Sequence, residues 1–121
     1  ADKLKDLMPG NSGKRMRELE KSNDTDGEEY KKLSELFNDT FVLTTKPKPQ
    51  DAIDGNNAAG LEVYNTMWGP SEAHATGTLK DWSVIDRLNQ IEQTTLLISG
   101  RYDEATPKQM TIIVERIHMM Q

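Results

Sequence analysis

The chain contains no cysteine among its 121 residues. A disulfide framework and a thiolate metal site are therefore both excluded. No apolar run approaches the length of a transmembrane helix, and the first residues lack the apolar centre of a secretory signal peptide. From these absences we expect a soluble, cytoplasmic protein that does not bind membranes.

Positive charge and apolar side chains are also scarce. The chain has 15 Lys and Arg residues against 20 Asp and Glu residues, and its net charge is -5. Nucleic-acid backbones are bound by clustered cations, whereas the cations here are scattered, so we expect no nucleic-acid partner. Only 35% of the residues are hydrophobic, which leaves little for a core. This fraction fits a segment that rests on a larger body, and a small polar domain would have the same fraction.

Apolar residues at helical spacing predict a mainly helical chain. The clearest helix begins at Glu28 and carries an apolar stripe of Tyr30, Leu33, Phe37 and Phe41. Proline, glycine, aspartate and asparagine predict an irregular connector over residues 46–60. Further helices are predicted over residues 2–8, 14–21, 61–67, 78–93 and 107–120.

One apolar and β-branched run, residues 94–99, ends at Gly100 and predicts a buried strand. Asp103 and Glu104 follow, and Thr106 with its neighbouring proline predicts the start of a helix. This order places the two acids at the carboxyl edge of an α/β sheet, where such sheets bind ligands. A single strand would have two unpaired edges, so its neighbours come from other chain or the segment is arranged differently.

Two motifs carry a family resemblance, GPSEAHATGTLKDW from residue 69 and LLISGRYDEATP from residue 96. In this order they resemble the proline iminopeptidases, which are serine aminopeptidases with an α/β-hydrolase fold. Weaker similarity extends through LKDLMPG, SNDTDGEEY and GLEVYNTMWGPSE. The resemblance implies a mainly α fold class: a helical cap segment over residues 1–93, then one strand and one helix of an incomplete α/β-hydrolase core over residues 94–121.

The resemblance also implies roles for three acids. Asp103 matches the acid of the catalytic triad, and Glu72 and Glu104 match the carboxylates that bind the substrate's free ammonium group. The implied substrate is a peptide with a free N-terminal residue, preferentially proline, and the implied mechanism requires no metal or organic cofactor. Without the resemblance, Asp103 would be an acid near a helix N-terminus, and the glutamates would be solvated surface residues. The chain departs from the family pattern at Ala73, usually aromatic, and at Trp68, usually polar.

The sequence contains no G-x-S-x-G motif for a serine nucleophile. Ser12 lies in GNSGK, which lacks the second glycine, and His118 comes too early to be the family's base. We therefore expect this chain to be inactive alone and to need the rest of a hydrolase or a second chain. The alternative is a non-catalytic helical interaction module, or a complementing fragment that docks on a partner chain. A calcium loop around Gly27 is disfavoured because Leu33 occupies the position of the bidentate glutamate.

Overall fold

The computed structural model describes residues 2–118, and only the backbone of residue 118. Its described part contains five α-helices and two 3₁₀ helices, in this order: a 3₁₀ helix Asp2–Leu7, α1 Ser12–Lys21, α2 Glu28–Phe41, α3 Gln50–Asn57, α4 Leu61–Met67, a 3₁₀ helix Ile85–Gln90 and α5 Pro107–His118. The only β pairing among the described residues is an isolated bridge between Ser71 and His74. The predicted mainly α class is therefore confirmed.

The chain divides into two compact units, Ala1–Lys80 and Asp81–Gln121. The resemblance predicted a different division, after residue 93, between a cap and a hydrolase core. The compactness of the two units does not test where a cap ends and a core begins. That division stays a prediction. No helix in the described part of the chain is long and apolar enough to cross a membrane.

The core of the first unit lies where α1 and α2 pack together. Met16 and Phe37 are completely buried, and Tyr30 is 1% exposed. The rings of Phe37 and Phe41 pack with their centroids 5.0 Å apart. The apolar stripe predicted for α2 is therefore the face that forms the core, and burial of each large side chain contributes about 1.5–3 kcal/mol.

The first 3₁₀ helix approaches α1 so closely that no side chain fits at Gly13. A Cβ atom there would lie 1.8 Å from the Lys5 carbonyl oxygen. Met8 is buried in the same core. The predicted short helix over residues 2–8 is thus present as a 3₁₀ helix fixed against α1.

Helix α3 lies where the sequence predicted an irregular connector, so that prediction was wrong for Gln50–Asn57. The helix begins directly after Pro49, whose carbonyl accepts the Ile53 N–H at 3.2 Å. Gln50 Nε2 donates to Asp54 Oδ1 at 2.8 Å, one turn further along the helix. None of its residues is buried. The connector was predicted from its proline, glycine, aspartate and asparagine content, whereas local contacts stabilise this helix.

Two lysines connect the segment before α3 to helix α2. Lys46 Nζ lies 2.8 Å from Asp39 Oδ2, and Lys48 Nζ lies 2.8 Å from Asp39 Oδ1. Hydrogen bonds from Lys46 and Lys48 hold the pKa of Asp39 below its ordinary value. Asp39 is therefore charged at neutral pH and holds the chain that leaves α2 against that helix.

In the second unit, the helix predicted over residues 78–93 is mostly absent. Turns come first, and only Ile85–Gln90 is helical, as a 3₁₀ helix with Leu88 buried. Ser83 Oγ accepts the Ile85 N–H at 3.3 Å, and such local bonds compete with an α-helix. Trp82 is 64% exposed in this structure.

The buried strand predicted over residues 94–99 is not formed either. Residues 94–99 form no regular secondary structure in the described part of the chain. Leu96 and Ile98 are 82% and 83% exposed. A strand exists only when a neighbour pairs with its N–H and C=O groups. The described residues offer no such neighbour to this segment, which is the physical reason for the difference.

Helix α5 begins at Pro107, as predicted. Thr106 N–H donates to Gln109 Oε1 at 2.7 Å, and this side chain therefore closes the first turn in the manner of a capping box. Ile117 is buried at the other end of the helix. The predicted end of this helix at Met120 lies outside the described residues.

The fit at Gly13 gives a testable prediction. Gly13→Ala should lower the free energy of unfolding by about 1–3 kcal/mol, because the new Cβ would overlap the Lys5 carbonyl. Gly55→Ala is the matched control, because a Cβ there has nothing within 4 Å; it should stabilise α3 by about 0.5–1 kcal/mol. Urea unfolding followed by circular dichroism measures both. Equal effects of the two substitutions would contradict the close approach.

Candidate functional site

The turn that carries Glu72 follows α4 and is closed by backbone hydrogen bonds. His74 N–H donates to the Ser71 carbonyl at 3.0 Å, and Thr76 N–H donates to the Trp68 carbonyl at 2.8 Å. Gly69 precedes the turn with φ of 142°, a conformation that glycine adopts without strain. A Cβ at Gly69 would also lie 2.6 Å from the His74 carbonyl oxygen. The sequence GPSEAH therefore folds into a tight turn for local reasons.

Glu72 itself lies half-buried at this turn, between two buried residues. Ser71 is 7% exposed and Ala73 is 3% exposed. Among the described residues, no hydrogen bond or ion pair engages the Glu72 carboxylate. The turn thus presents an acid whose backbone is anchored on both sides while its side chain remains available to a cation.

The two departures from the family pattern have structural explanations. Ala73 packs in the core of the first unit, beside buried methionine and aromatic side chains. Trp68 is half-buried, and its Nε1 donates to the Ser71 carbonyl at 3.1 Å. Trp68, which stands at a position that is usually polar in the family, therefore supports the turn through this hydrogen bond.

A buried polar network lies behind the turn, and no sequence pattern predicted it. Lys5 is 3% exposed, and its Nζ donates to Glu20 Oε1 at 2.6 Å. The Tyr30 hydroxyl donates to the same oxygen at 3.1 Å and lies 2.9 Å from Ser71 Oγ. These partners lie on four separate segments, so helical periodicity could identify the faces of α1 and α2 but not the contacts between them.

The acid loop of the second unit contains Asp103 and Glu104, which are both half-buried. Asp103 Oδ1 accepts the Ala105 N–H at 2.8 Å, and the Asp103 N–H donates to the Gly100 carbonyl at 3.3 Å. Oδ2 of Asp103 takes no hydrogen bond from the residues that the structure describes. Tyr102 beside it is 76% exposed. One oxygen of the acid is therefore fixed by the loop, and the other is available to a donor.

These three acids belong to different units. Asp103 and Glu104 are brought together by their loop, whereas Glu72 lies in the first unit. The predicted convergence of Glu72 with the acid loop at one cleft stays a prediction.

Two clefts were found in the first unit, with volumes of about 680 Å³ and about 560 Å³. The larger lies between α2 and α3 and includes Ser34, Asn38 and Ile53 in its wall. The smaller includes Gly69, Pro70 and His74. Glu72 is not among the residues that line either cleft.

No model of a known protein family matches the chain. A protein from Heyndrickxia coagulans named proline iminopeptidase is 37% identical over 93 residues, which are 74% of this chain and 31% of that protein. A protein of the same name from Thermoplasma volcanium is 28% identical over 116 residues, which are 95% of this chain and 39% of that protein.

Solved structures give the same result. The crystal structure of VinJ has a TM-score of 0.80 and 35% identity, over 96% of this chain and 40% of that one. Proline iminopeptidase from Mycobacterium smegmatis has a TM-score of 0.78 and 36% identity, over the same shares. The chain thus spans between 31% and 40% of the length of these relatives. In sequence and in fold, it is related to the proline iminopeptidases and corresponds to a part of them that is mainly helical.

Proposed function

We propose that this chain is part of a serine aminopeptidase of the α/β-hydrolase type that releases the N-terminal residue, preferentially proline, from peptides. The observation that carries this proposal is Glu72, a half-buried acid without a partner among the described residues, on a turn fixed on both sides. The chain is also 37% identical over 93 residues to a relative that is named for this activity. We place the protein in the cytoplasm, with which a sequence free of cysteine is compatible.

In this proposal Asp103 is the acid of the catalytic triad. Such an acid accepts the Nδ1–H of the catalytic histidine, fixes its tautomer and stabilises the imidazolium that forms when serine attacks. The bond from Ala105 N–H to Oδ1 leaves Oδ2 as the acceptor for that histidine. The loop therefore provides the orientation that the role requires.

Glu72 and Glu104 are proposed to bind the substrate's ammonium group. A hydrogen bond between a cation and a carboxylate contributes about 1.5–3 kcal/mol. A carboxylate therefore favours a charged amine over a neutral group. Binding of this kind would let an aminopeptidase select a free N-terminus.

The nucleophile and the base are proposed to come from outside this sequence, which has no G-x-S-x-G motif. Loss of those two groups in comparable triad enzymes lowers kcat by a factor on the order of 10⁶. The chain alone is therefore proposed to be catalytically inactive.

An alternative function is favoured by the segment over residues 94–99. Leu96 and Ile98 alternate in sequence and are both more than 80% exposed. Unpaired segments of this kind add to the edge of another sheet. In this alternative the chain is a complementing fragment that docks on a partner chain carrying the serine and the histidine.

The main proposal is tested by replacing the matching segment of the Mycobacterium smegmatis enzyme with this chain. The chimera should hydrolyse proline p-nitroanilide, and the chain alone should not. Asp103→Asn should lower kcat by a factor on the order of 10⁴, because the histidine loses its tautomer. Asp86→Asn, at an exposed acid of the same unit, is the control and should leave kcat unchanged. A folded chimera without turnover, or turnover by the pure chain, would refute the proposal.

The amine-binding role has its own test in the same chimera. Glu72→Gln should lower kcat/KM for proline p-nitroanilide about 10- to 100-fold, because the ammonium group loses a charged acceptor. Glu62→Gln, at an exposed acid on α4, is the matched control. Equal kcat/KM values for Glu72→Gln and the parent chimera would remove Glu72 from the amine site.

Sedimentation tests the alternative with the separate chain and the remainder of the Mycobacterium smegmatis enzyme. A complementing fragment should form a complex with this remainder, and Leu96→Asp should abolish it, because a buried charge opposes pairing. Val63→Asp, at an exposed apolar residue on α4, should leave the complex intact. Absence of a complex with the unmodified chain would exclude complementation.

A further inference from the structure

The turn that carries Glu72 is connected to a buried ion pair through two hydroxyl groups. Glu20 has a side chain only 7% exposed and forms an ion pair with Lys5, whose side chain is 2% exposed. The Tyr30 hydroxyl lies between this pair and Ser71, at 3.1 Å from Glu20 Oε1 and 2.9 Å from Ser71 Oγ. Tyr30 is therefore the link from α1 and α2 to the turn.

The hydrogen bonds of this link have a single consistent direction. A carboxylate can only accept, so the one proton of the Tyr30 hydroxyl goes to Glu20. Ser71 Oγ–H must then donate to the Tyr30 oxygen. Burial raises the pKa of Tyr30, so that the phenol keeps its proton throughout the range in which peptidases are assayed. The direction of donation is thus fixed: Ser71 donates to Tyr30, and Tyr30 donates to Glu20.

We propose that Tyr30 is a positioning residue for Glu72, acting through Ser71 to hold the carboxylate where it receives the substrate's ammonium group. This inference rests on the proposed role of Glu72. Ser71 precedes Glu72 directly, and the buried Ala73 follows it. The backbone on one side of the acid is fixed by a hydrogen bond, and on the other side by apolar packing.

The two anchors differ in what they can control. Apolar packing of Ala73 is non-directional and tolerates small rotations of the turn. The Ser71 hydroxyl bond is directional and weakens steeply when its angle changes. The Tyr30 link therefore adds a directional restraint to those that the Trp68 Nε1–H and His74 N–H donors place on the Ser71 carbonyl. Because Lys5 balances the charge of Glu20, the link also adds little negative charge behind Glu72.

The test uses the chimera described above and two competitive inhibitors of nearly equal shape. Prolinamide carries the ammonium group, and cyclopentanecarboxamide lacks it. Tyr30→Phe removes the hydroxyl but keeps the ring, and should raise the inhibition constant of prolinamide about three- to tenfold. The constant for cyclopentanecarboxamide should stay within about twofold, because this ligand makes no bond to Glu72.

Control variants separate positioning from a loss of stability. Phe37→Leu disturbs the same core without touching the hydroxyl link, and it should change both constants equally or not at all. Ser71→Ala should reproduce the selective effect of Tyr30→Phe, and adding Ser71→Ala to Tyr30→Phe should cause no further loss, because both variants break the bond between Ser71 and Tyr30. A selective effect of Phe37→Leu equal to that of Tyr30→Phe would overturn the inference.

Glu72→Gln distinguishes failure of the inference from failure of the proposed function. If Glu72→Gln leaves the prolinamide constant unchanged, the amine-binding role itself is wrong. If Glu72→Gln weakens prolinamide but Tyr30→Phe does not, Glu72 binds the amine and Tyr30 does not position it.

A second measurement applies to the chain alone, and it decides the matter if a chimera variant fails to fold. The His74 N–H closes the turn on the Ser71 carbonyl, so its hydrogen exchange reports how firmly the turn is held. Tyr30→Phe or Ser71→Ala should accelerate this exchange about three- to tenfold. Phe37→Leu should not accelerate the exchange of the His74 N–H more than that of other amides. Unchanged exchange in both hydroxyl variants would overturn the positioning role.

Discussion

The contact between Lys5 and Glu20 is the interaction on which the first unit depends. Removing two charges from water costs several kcal/mol per ion, and only direct contact with further hydrogen bonds offsets this cost. Here the Lys5 ammonium group and the Tyr30 hydroxyl both bind Glu20. His74 Nδ1 also lies 3.7 Å from Glu20 Oε2. One carboxylate thus joins the first 3₁₀ helix, α1, α2 and the turn after α4, and a shift in any of them would leave a buried charge without its partner.

Helices that bury an apolar face were predictable from the spacing of that face, but burial is not required, since α4 was predicted over residues 61–67 and none of its residues is buried. Helix α2 was predictable because Tyr30, Phe37 and Phe41 repeat at helical spacing and form the core. Helix α5 was predictable from its first residues, since Thr106 and Pro107 are start signals that need no tertiary contact. Helix α3 was missed because proline, glycine, aspartate and asparagine are frequent over residues 46–60 and are signals of turns and loops. The run over residues 94–99 has the composition of a strand, but pairing depends on a neighbour that composition does not reveal.

The candidate site was predictable to a different degree. Family motifs identified Glu72, Asp103 and Glu104 as candidate site residues. The local chemistry of the acid loop followed from a few adjacent positions. The support behind Glu72 was not accessible in the same way. Tyr30 and Ser71 are separated by 41 positions, and local patterns report which face a residue occupies, not which distant side chain it meets. A buried charged pair in a chain this polar resembles ordinary surface charge until the fold brings its members together.

The acid loop has a consequence for how such a site can be transferred between proteins. Asp103 bonds to the backbone two positions ahead, and Thr106 bonds to Gln109 on the first turn of α5. Every contact named here lies within seven consecutive residues, from Asp103 to Gln109. The Asp103 carboxylate is thus oriented by bonds between residues close in sequence, so we expect a different scaffold that accepts this loop to preserve that orientation.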